Sequence, residues 1–412
     1  MKALLIKNFT GHSISCLIML MLLMGTDIAR ADGDIDNQGT LIIKGNLVNL
    51  NATATDLGTG IFEFSGTSAQ EISGTNVFGS LRIANTGAGV TIVSGDQKVN
   101  TALKLKSGLL TLGSNYMLLG PSATDSGGSV SAMVVATGTG ELRKEFAGIS
   151  SFTFPVGDAD VTAEYSPVTV DFTDASFDAG NYLGVNLKNL RDPALATDNY
   201  LKRYWTLNSD GITNINCQLT FNFVDADFAG TTIADLYCLK TLPVPETLNK
   251  YVSGNQLTGT VTTFGRFTGA NIIDITPNIT TEPSVMHGVT PFNIIVQVTE
   301  LNFGNTNGLI TVLLPKDTRW GLTYISGATM IGSTQVNNSA WSYTSTDPDF
   351  HIFTSTTLIS KGTNSKFGFT AGWNAGATTG SANITSQITS GSGGEYRIDN
   401  NVDAEKLDYF IN

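Results

Sequence analysis

The residues able to do chemistry are few, and their spacing restricts them further. Beyond residue 31 the chain holds two histidines, His287 and His351. A nucleophilic triad needs an imidazole between a hydroxyl or thiol and a carboxylate, and neither histidine has such companions nearby in sequence. His351 lies in "FHIF", an alternating run where it reads as a strand residue facing solvent. The same scarcity argues against zinc sites built from His and Cys. Glycoside hydrolysis needs two carboxyl groups on one cleft. In the first third of the chain Asp56, Glu63, Glu71 and Asp96 follow no common register. Arg82, Lys98, Lys104 and Lys106 could take a proton in lyase chemistry, but they read as ordinary outward strand positions. The pattern points away from an enzyme.

Binding chemistry has more material. "VDADFAG" offers Asp225 and Asp227 at alternate positions, "TDPDF" offers Asp347 and Asp349, and "DNNVD" groups Asp399, Asn400, Asn401 and Asp403. Calcium wants several oxygen ligands. None of these stretches has the full spacing of a calcium loop, and carboxylates capping turns explain them equally. Asp225 and Asp227 are retained as the calcium candidates; no other cofactor is expected. Trp341 with Tyr343, and Trp373, could stack on sugar faces if exposed, whereas alternating tryptophans also suit a buried core. Cys217 and Cys238 flank the loop "DADFAGTT" in neighbouring predicted strands. They suit either one disulfide in an oxidising compartment or two buried thiols.

The compartment is read from the first residues. Lys2 and Lys7 precede an apolar run from Ile14 to Met24, and "ARAD" places the small residues Ala29 and Ala31 at cleavage positions,. At about 11 residues the run falls short of the roughly 20 that span a bilayer. Residues 1–31 are therefore expected to be a cleaved secretory signal, and no later stretch is long and apolar enough for a membrane span. The whole chain of 412 residues carries a net charge of −12. Removing the leader, with its three basic residues and one acidic residue, makes it about −14. Nucleic acid and anionic lipid both need clustered Lys and Arg, so neither is an expected partner. Charged residues are only 14 % of the chain and glycines number 44, a blend that suits extracellular β-proteins with Gly-rich turns and Thr-rich strand faces.

The elements that would position these residues are strands almost throughout, since period-2 alternation dominates. One helical turn is compatible with "DPALATDNYLKRY", where Asp192 could cap and Pro193 could open it. Over residues 32–140, "GTLIIKGNL", "GIFEFSGTS", "GSLRIANTG" and "TALKLKSGL" repeat one alternating step. Their centres, Leu41, Phe62, Leu81 and Leu103, are 21, 19 and 22 residues apart. A period near 20 with two or three short strands per turn predicts a parallel β-solenoid; a meander or sandwich is the alternative. Residues 141–271 read as a β-sandwich, 272–290 as a linker, and 291–412 as a second sandwich of immunoglobulin-like strand count. The fold class expected is all-β, a solenoid followed by two sandwiches.

The run "GTLIIKGNLVNLNAT", then "F-x-G-T…Q-x-I-x-G" and "F-x-x-L-x-I-x-N", resembles the β-strand-repeat surface proteins secreted by Bacteroidetes-type, Gram-negative bacteria. "FTFPVGD…YSPVTV" is similar to a segment that follows those repeats. "GLITVLLPK", "SANITSQITSGSGGE" and "DNNVDAEKLDYF" resemble the bacterial conserved-repeat domain of the immunoglobulin-like class. The resemblance implies a non-catalytic structural or adhesive role, secreted or on the outer cell surface, with the periplasm as the other location. Its partners would be cell-surface or extracellular-matrix components, polysaccharide among them. Two other readings stand beside it: a polysaccharide-binding or polysaccharide-degrading solenoid, and a subunit of a surface assembly joined through an open sheet edge.

Overall fold

The computed structural model describes residues 35–411, except 196, 198, 302, 303 and 375, together with the backbone of Ala3–Lys7 and Ala29–Asp32. Apart from those two short strands, the leader expected over residues 1–31 lies outside the described residues. The chain forms two units, Met1–Asp192 with Leu201–Gly269, and Pro193–Tyr200 with Ala270–Asn412.

The first unit opens as a parallel β-solenoid. Its first column stacks Thr40–Ile43, Ile61–Phe64, the second halves of Asn76–Ala84 and Gln97–Ser107, and then Thr124–Gly127. The register places Leu41 on Phe62, Phe62 on Leu81, and Leu81 on Leu103. The row Ile43, Phe64, Ile83 and Leu105 runs beside it. Apart from half-buried Leu41, these residues are buried. A second column runs from Thr55–Asp56 to Leu142–Lys144, and a third from Asn46–Asn49 to Val156–Asp158. Each coil thus buries its apolar face only against its neighbours, as repeat architectures do.

The corners carry a second stacking device. Asn49 Nδ2 donates to Asn76 Oδ1 (3.0 Å), and Asn76 Nδ2 to Gln97 Oε1 (2.9 Å). All three side chains are buried, so the ladder satisfies amides that the turns carry inward,. Gly74 and Gly95 both have φ of +78°. A Cβ on Gly95 would fall 2.4 Å from the Gly74 carbonyl carbon, so the coils approach there only without side chains,.

The solenoid does not end at residue 140. Leu142–Lys144 pairs antiparallel with the long strand Val168–Lys188, which pairs in turn with Tyr200–Asn222. The last coil would otherwise leave a ladder of unpaired N–H and C=O groups, and the antiparallel strand covers it. One hydrophobic core accordingly runs from Ile35 to Phe267. The helical turn expected near Asp192 is absent from the described residues. The Asp192 carboxylate accepts from Arg266 Nη2 (2.8 Å) and Thr241 Oγ1 (2.6 Å).

In the second unit two sheets enclose a separate core. One contains Ile275–Glu282, Thr290–Glu300, Asn364–Trp373 and Trp320–Thr323, all antiparallel. The other contains Val285–His287, Val402–Phe410, Gly380–Ile388, Ile310–Pro315, Phe350–Ser355 and Ser342–Thr344. The linker expected over 272–290 is a correction: it supplies two of these strands, with Ile279 and Met286 in the core. Pro277 and Thr281 occupy inward positions there, which interrupts the apolar alternation in the sequence. Proline is tolerated because Ile275–Glu282 is an edge strand,.

The closing segment of the chain covers that edge with carboxylates. Glu395 Oε1 accepts from the Ile275 N–H (3.0 Å) and Asp403 Oδ2 from the Ile279 N–H (2.7 Å). Asp274 accepts from Asn400 Nδ2 (2.7 Å). Burial pushes the Glu395 carboxyl up to about 8 from 4.5, against the lowering pull of its bonds from Asn401 and Ile275. The folded state therefore holds a proton that the unfolded chain releases. The contribution is fully present below about pH 4.5 and is lost as pH rises towards 8,. At about 1.4 kcal/mol per pH unit the span is a few kcal/mol. Glu395→Gln is expected to flatten this slope and to melt above the wild type at pH 8.5. Its new Nε2 can donate to Asn401 Oδ1, which has no partner, once that amide turns over. Thermal melts from pH 5 to 8.5 check it; parallel curves for both proteins would refute the assignment.

Candidate functional site

The outward face of the first solenoid column presents Ile42, Glu63, Arg82, Lys104 and Ser126 on successive rungs. On the first four rungs strand alternation puts these side chains outside because their neighbours in sequence face the core,. Arg82 Nη1 contacts Glu63 Oε2 at 2.6 Å. On its other side Arg82 lies directly opposite Lys104, a like-charged cross-strand neighbour. The register between these two strands slips after Leu105: Leu105 faces Ile83, and Ser107 faces Ala84. Lys106 is the extra residue, a bulge in a parallel ladder, where bulges are rare. Arg82, Lys104, Leu105, Lys106, Ser126 and Gly127 together line a shallow open depression. Its lining includes no histidine, tyrosine or carboxylate, so what it presents is positive charge and a hydroxyl, suited to holding an anion.

The other expected site residues are placed elsewhere. Asp225 and Asp227 share a short 3₁₀ turn but diverge. Asp225 is exposed and accepts from Asn255 Nδ2 (2.6 Å); Asp227 is buried, and its Oδ2 accepts from Arg203 Nε (2.8 Å) and the Val224 N–H (3.0 Å). The Arg203 guanidinium thus pairs with one of the two calcium candidates. Among the described residues no three His, Cys, Asp or Glu side chains are grouped to hold a metal. Cys217 and Cys238 are unbonded and buried, which corrects the disulfide reading. Burial pushes both thiols up, that of Cys217 to about 12.

Trp341 and Trp373 are corrected too. They are 3 % and 1 % exposed, so neither offers a face to a sugar. The Trp341 ring packs 4.6 Å from Phe367 and its Nε1 donates to Ser365 Oγ (3.0 Å). Trp373 lies between Phe292 and Tyr409, with the Arg319 guanidinium 5.3 Å above its ring. Trp373 sits at an inward position of its strand, and Trp341 follows the 3₁₀ turn Asn338–Ala340; both join the core between the sheets. His351 is half-buried, its Nδ1 bonded to the Tyr343 hydroxyl (2.9 Å) beside Trp320.

Besides Lys240, two buried cations escaped the sequence reading. Arg203 is 0 % exposed and contacts Asp158, Asp227 and Glu164. The signal was present in "LKRYWTL": Leu201, Arg203, Trp205 and Leu207 share one parity, and all are buried. A charge at inward parity calls for a buried partner. Lys144 is the other. Its ammonium donates to the carbonyls of Gly120 (2.7 Å), Pro121 (2.9 Å) and Glu145 (2.8 Å), while burial lowers its pKa to about 8. All three ammonium protons are engaged, so it is a strut and not a free nucleophile.

No protein-family model matches the chain, and no curated protein is similar to it in sequence. Solved structures give distant likenesses. The N-terminal domain of an adhesin from Streptococcus gordonii aligns at 9 % identity and a TM-score of 0.24, covering 66 % of this chain and 83 % of that one. A putative membrane anchored protein from Corynebacterium diphtheriae aligns at 10 % identity and a TM-score of 0.19, covering 64 % of this chain and 86 % of that one.

Proposed function

We propose that this chain is a non-catalytic protein of the outer cell surface, exported by its leader, with a structural or adhesive role. One observation carries the reading: the residues that repeat from coil to coil are those that stack inward, while the outward row Ile42, Glu63, Arg82, Lys104, Ser126 runs from apolar through acidic and basic to hydroxyl. A frame with a regular core and a free outer surface suits display and contact, and the likenesses to solved structures are too slight to add to this. The resemblance to secreted β-strand-repeat proteins of Bacteroidetes-type bacteria, and of the second unit to immunoglobulin-like repeat domains, belongs to the same reading. Protease added to intact cells tests it. Degradation without lysis is expected; full protection until the outer envelope is opened would place the protein in the periplasm and refute the surface role.

A further inference from the structure

The strip Arg82, Lys104 and Lys106 works against the stability of the sheet that carries it. Like charges directly opposite on adjacent strands destabilise the pair, and Arg82 and Lys104 stand in that relation. Glu63 serves Arg82 on one side only, and the lining on the Lys104 side brings a third cation, with no acid among the lining residues. The bulge at Lys106 is the second signal. One of the two register shifts between these strands falls at Lys106, which also lines the depression, and bulges are over-represented beside functional sites,. All this occurs on a chain whose net charge is −12, so the strip reverses the prevailing sign. Glu63 compensates Arg82 alone, and local disagreement with the rules of the fold that is only partly compensated is expected at functional sites,.

We propose that this strip binds an acidic polysaccharide, one bearing carboxylate or sulfate groups on a hydroxyl-rich chain. An anionic group seated between Arg82 and Lys104 relieves their repulsion, and Lys106 meets the next anion along the chain. Ser126, on the neighbouring rung about 4.8 Å away, offers a hydroxyl for hydrogen bonding to sugar. Three cations on an otherwise acidic protein suit a polymer of sparse charge. Duplex DNA carries one charge per about 1.7 Å and would be repelled by the remaining surface. The site is open and flat, as a polymer lying across a sheet requires, and it has no apolar wedge for a membrane.

The inference rests on the surface-adhesive reading and can fail separately from it. Titration of the purified chain without its leader, by calorimetry, with polygalacturonate or a sulfated glucan, should give saturable binding at low salt. Binding should weaken at least tenfold in 0.5 M salt, because exposed ion pairs are screened. A neutral glucan of equal length should not bind. Lys104→Glu combined with Lys106→Glu should abolish binding and leave the melting temperature within a few degrees. Lys202→Glu, a matched reversal at an exposed lysine off the strip, should bind like the wild type. If the double variant does not fold, Lys106→Gln alone should weaken binding several-fold. The proposal is overturned by absence of binding to either acidic glycan, by equal loss in Lys202→Glu, or by stronger binding to DNA or to anionic vesicles. Cells whose protein is protease-exposed, with no glycan bound by the purified chain, would remove the ligand and keep the adhesive role. A protease-protected protein that binds the glycan would do the reverse.

Discussion

Replacing Arg203 with methionine is expected to destabilise the first unit by about 3–5 kcal/mol, the usual loss when one partner of a buried ion pair is removed. The guanidinium has no exposed surface and contacts three carboxylates from three places in the chain. Asp158 ends a strand of the last coil and is 2.5 Å away; Asp227 closes the 3₁₀ turn and is 2.8 Å away. Glu164 lies in the strand that pairs back on that coil. Without the guanidinium these acids face one another in a buried site. Burial, then the Asp227 charge, already push the Glu164 carboxyl upward. Losing Arg203 would raise it further, and a carboxyl raised above its unfolded value loses stability as pH rises. The deficit should therefore be larger at pH 8 than at pH 5. Urea unfolding at the two pH values measures it, and a loss under 1 kcal/mol at pH 8 would show that the cluster does not hold the unit together.

Phe62→Ala should cost about 3–5 kcal/mol, the range for truncating a buried phenylalanine. The ring is fully buried in the middle of the stacked row, between Leu41 and Leu81, and packs edge-on to Phe78 at 5.4 Å. Ile42→Ala, on the neighbouring rung but on the outward face, should change stability by no more than about 0.5 kcal/mol. The character of the loss matters as much as its size. Coils of a solenoid contact only their neighbours, so the cavity should loosen the coils near it first. Hydrogen exchange should show protection falling over residues 40–64 while the strands Val168–Lys188 and Tyr200–Asn222 keep theirs. Uniform loss across the unit would mean that the coil and the antiparallel strands unfold together.

The amino-acid sequence by itself determined what depends on local periodicity. Alternation marked which residues point inward, and the spacing of Leu41, Phe62, Leu81 and Leu103 placed them on one stacked row, because a coil of fixed length returns the chain to the same position. The same logic set out the strands from Phe292 to Ile388 in the second unit. It also listed Arg82, Lys104 and Lys106 as outward residues, but could not see the strand register that sets Arg82 opposite Lys104 beside one depression.

Only the tertiary structure decided the partners. Trp341 and Trp373 are buried in the core between two sheets, and nothing in the residues around either one announces the sheet that covers it. Asp227 meets Arg203 across 24 residues and Asp158 meets it across 45, so one of the two calcium candidates joins a buried ion cluster while Asp225 stays exposed. The stretch 272–290 read as a linker because proline and threonine stand at inward positions, yet an edge strand accepts them when carboxylates of the closing segment take its outward N–H groups. Periodicity is set by the backbone and can be read along the chain. Charge pairing and burial are set by whatever arrives on the other side, and that is fixed only when distant segments meet.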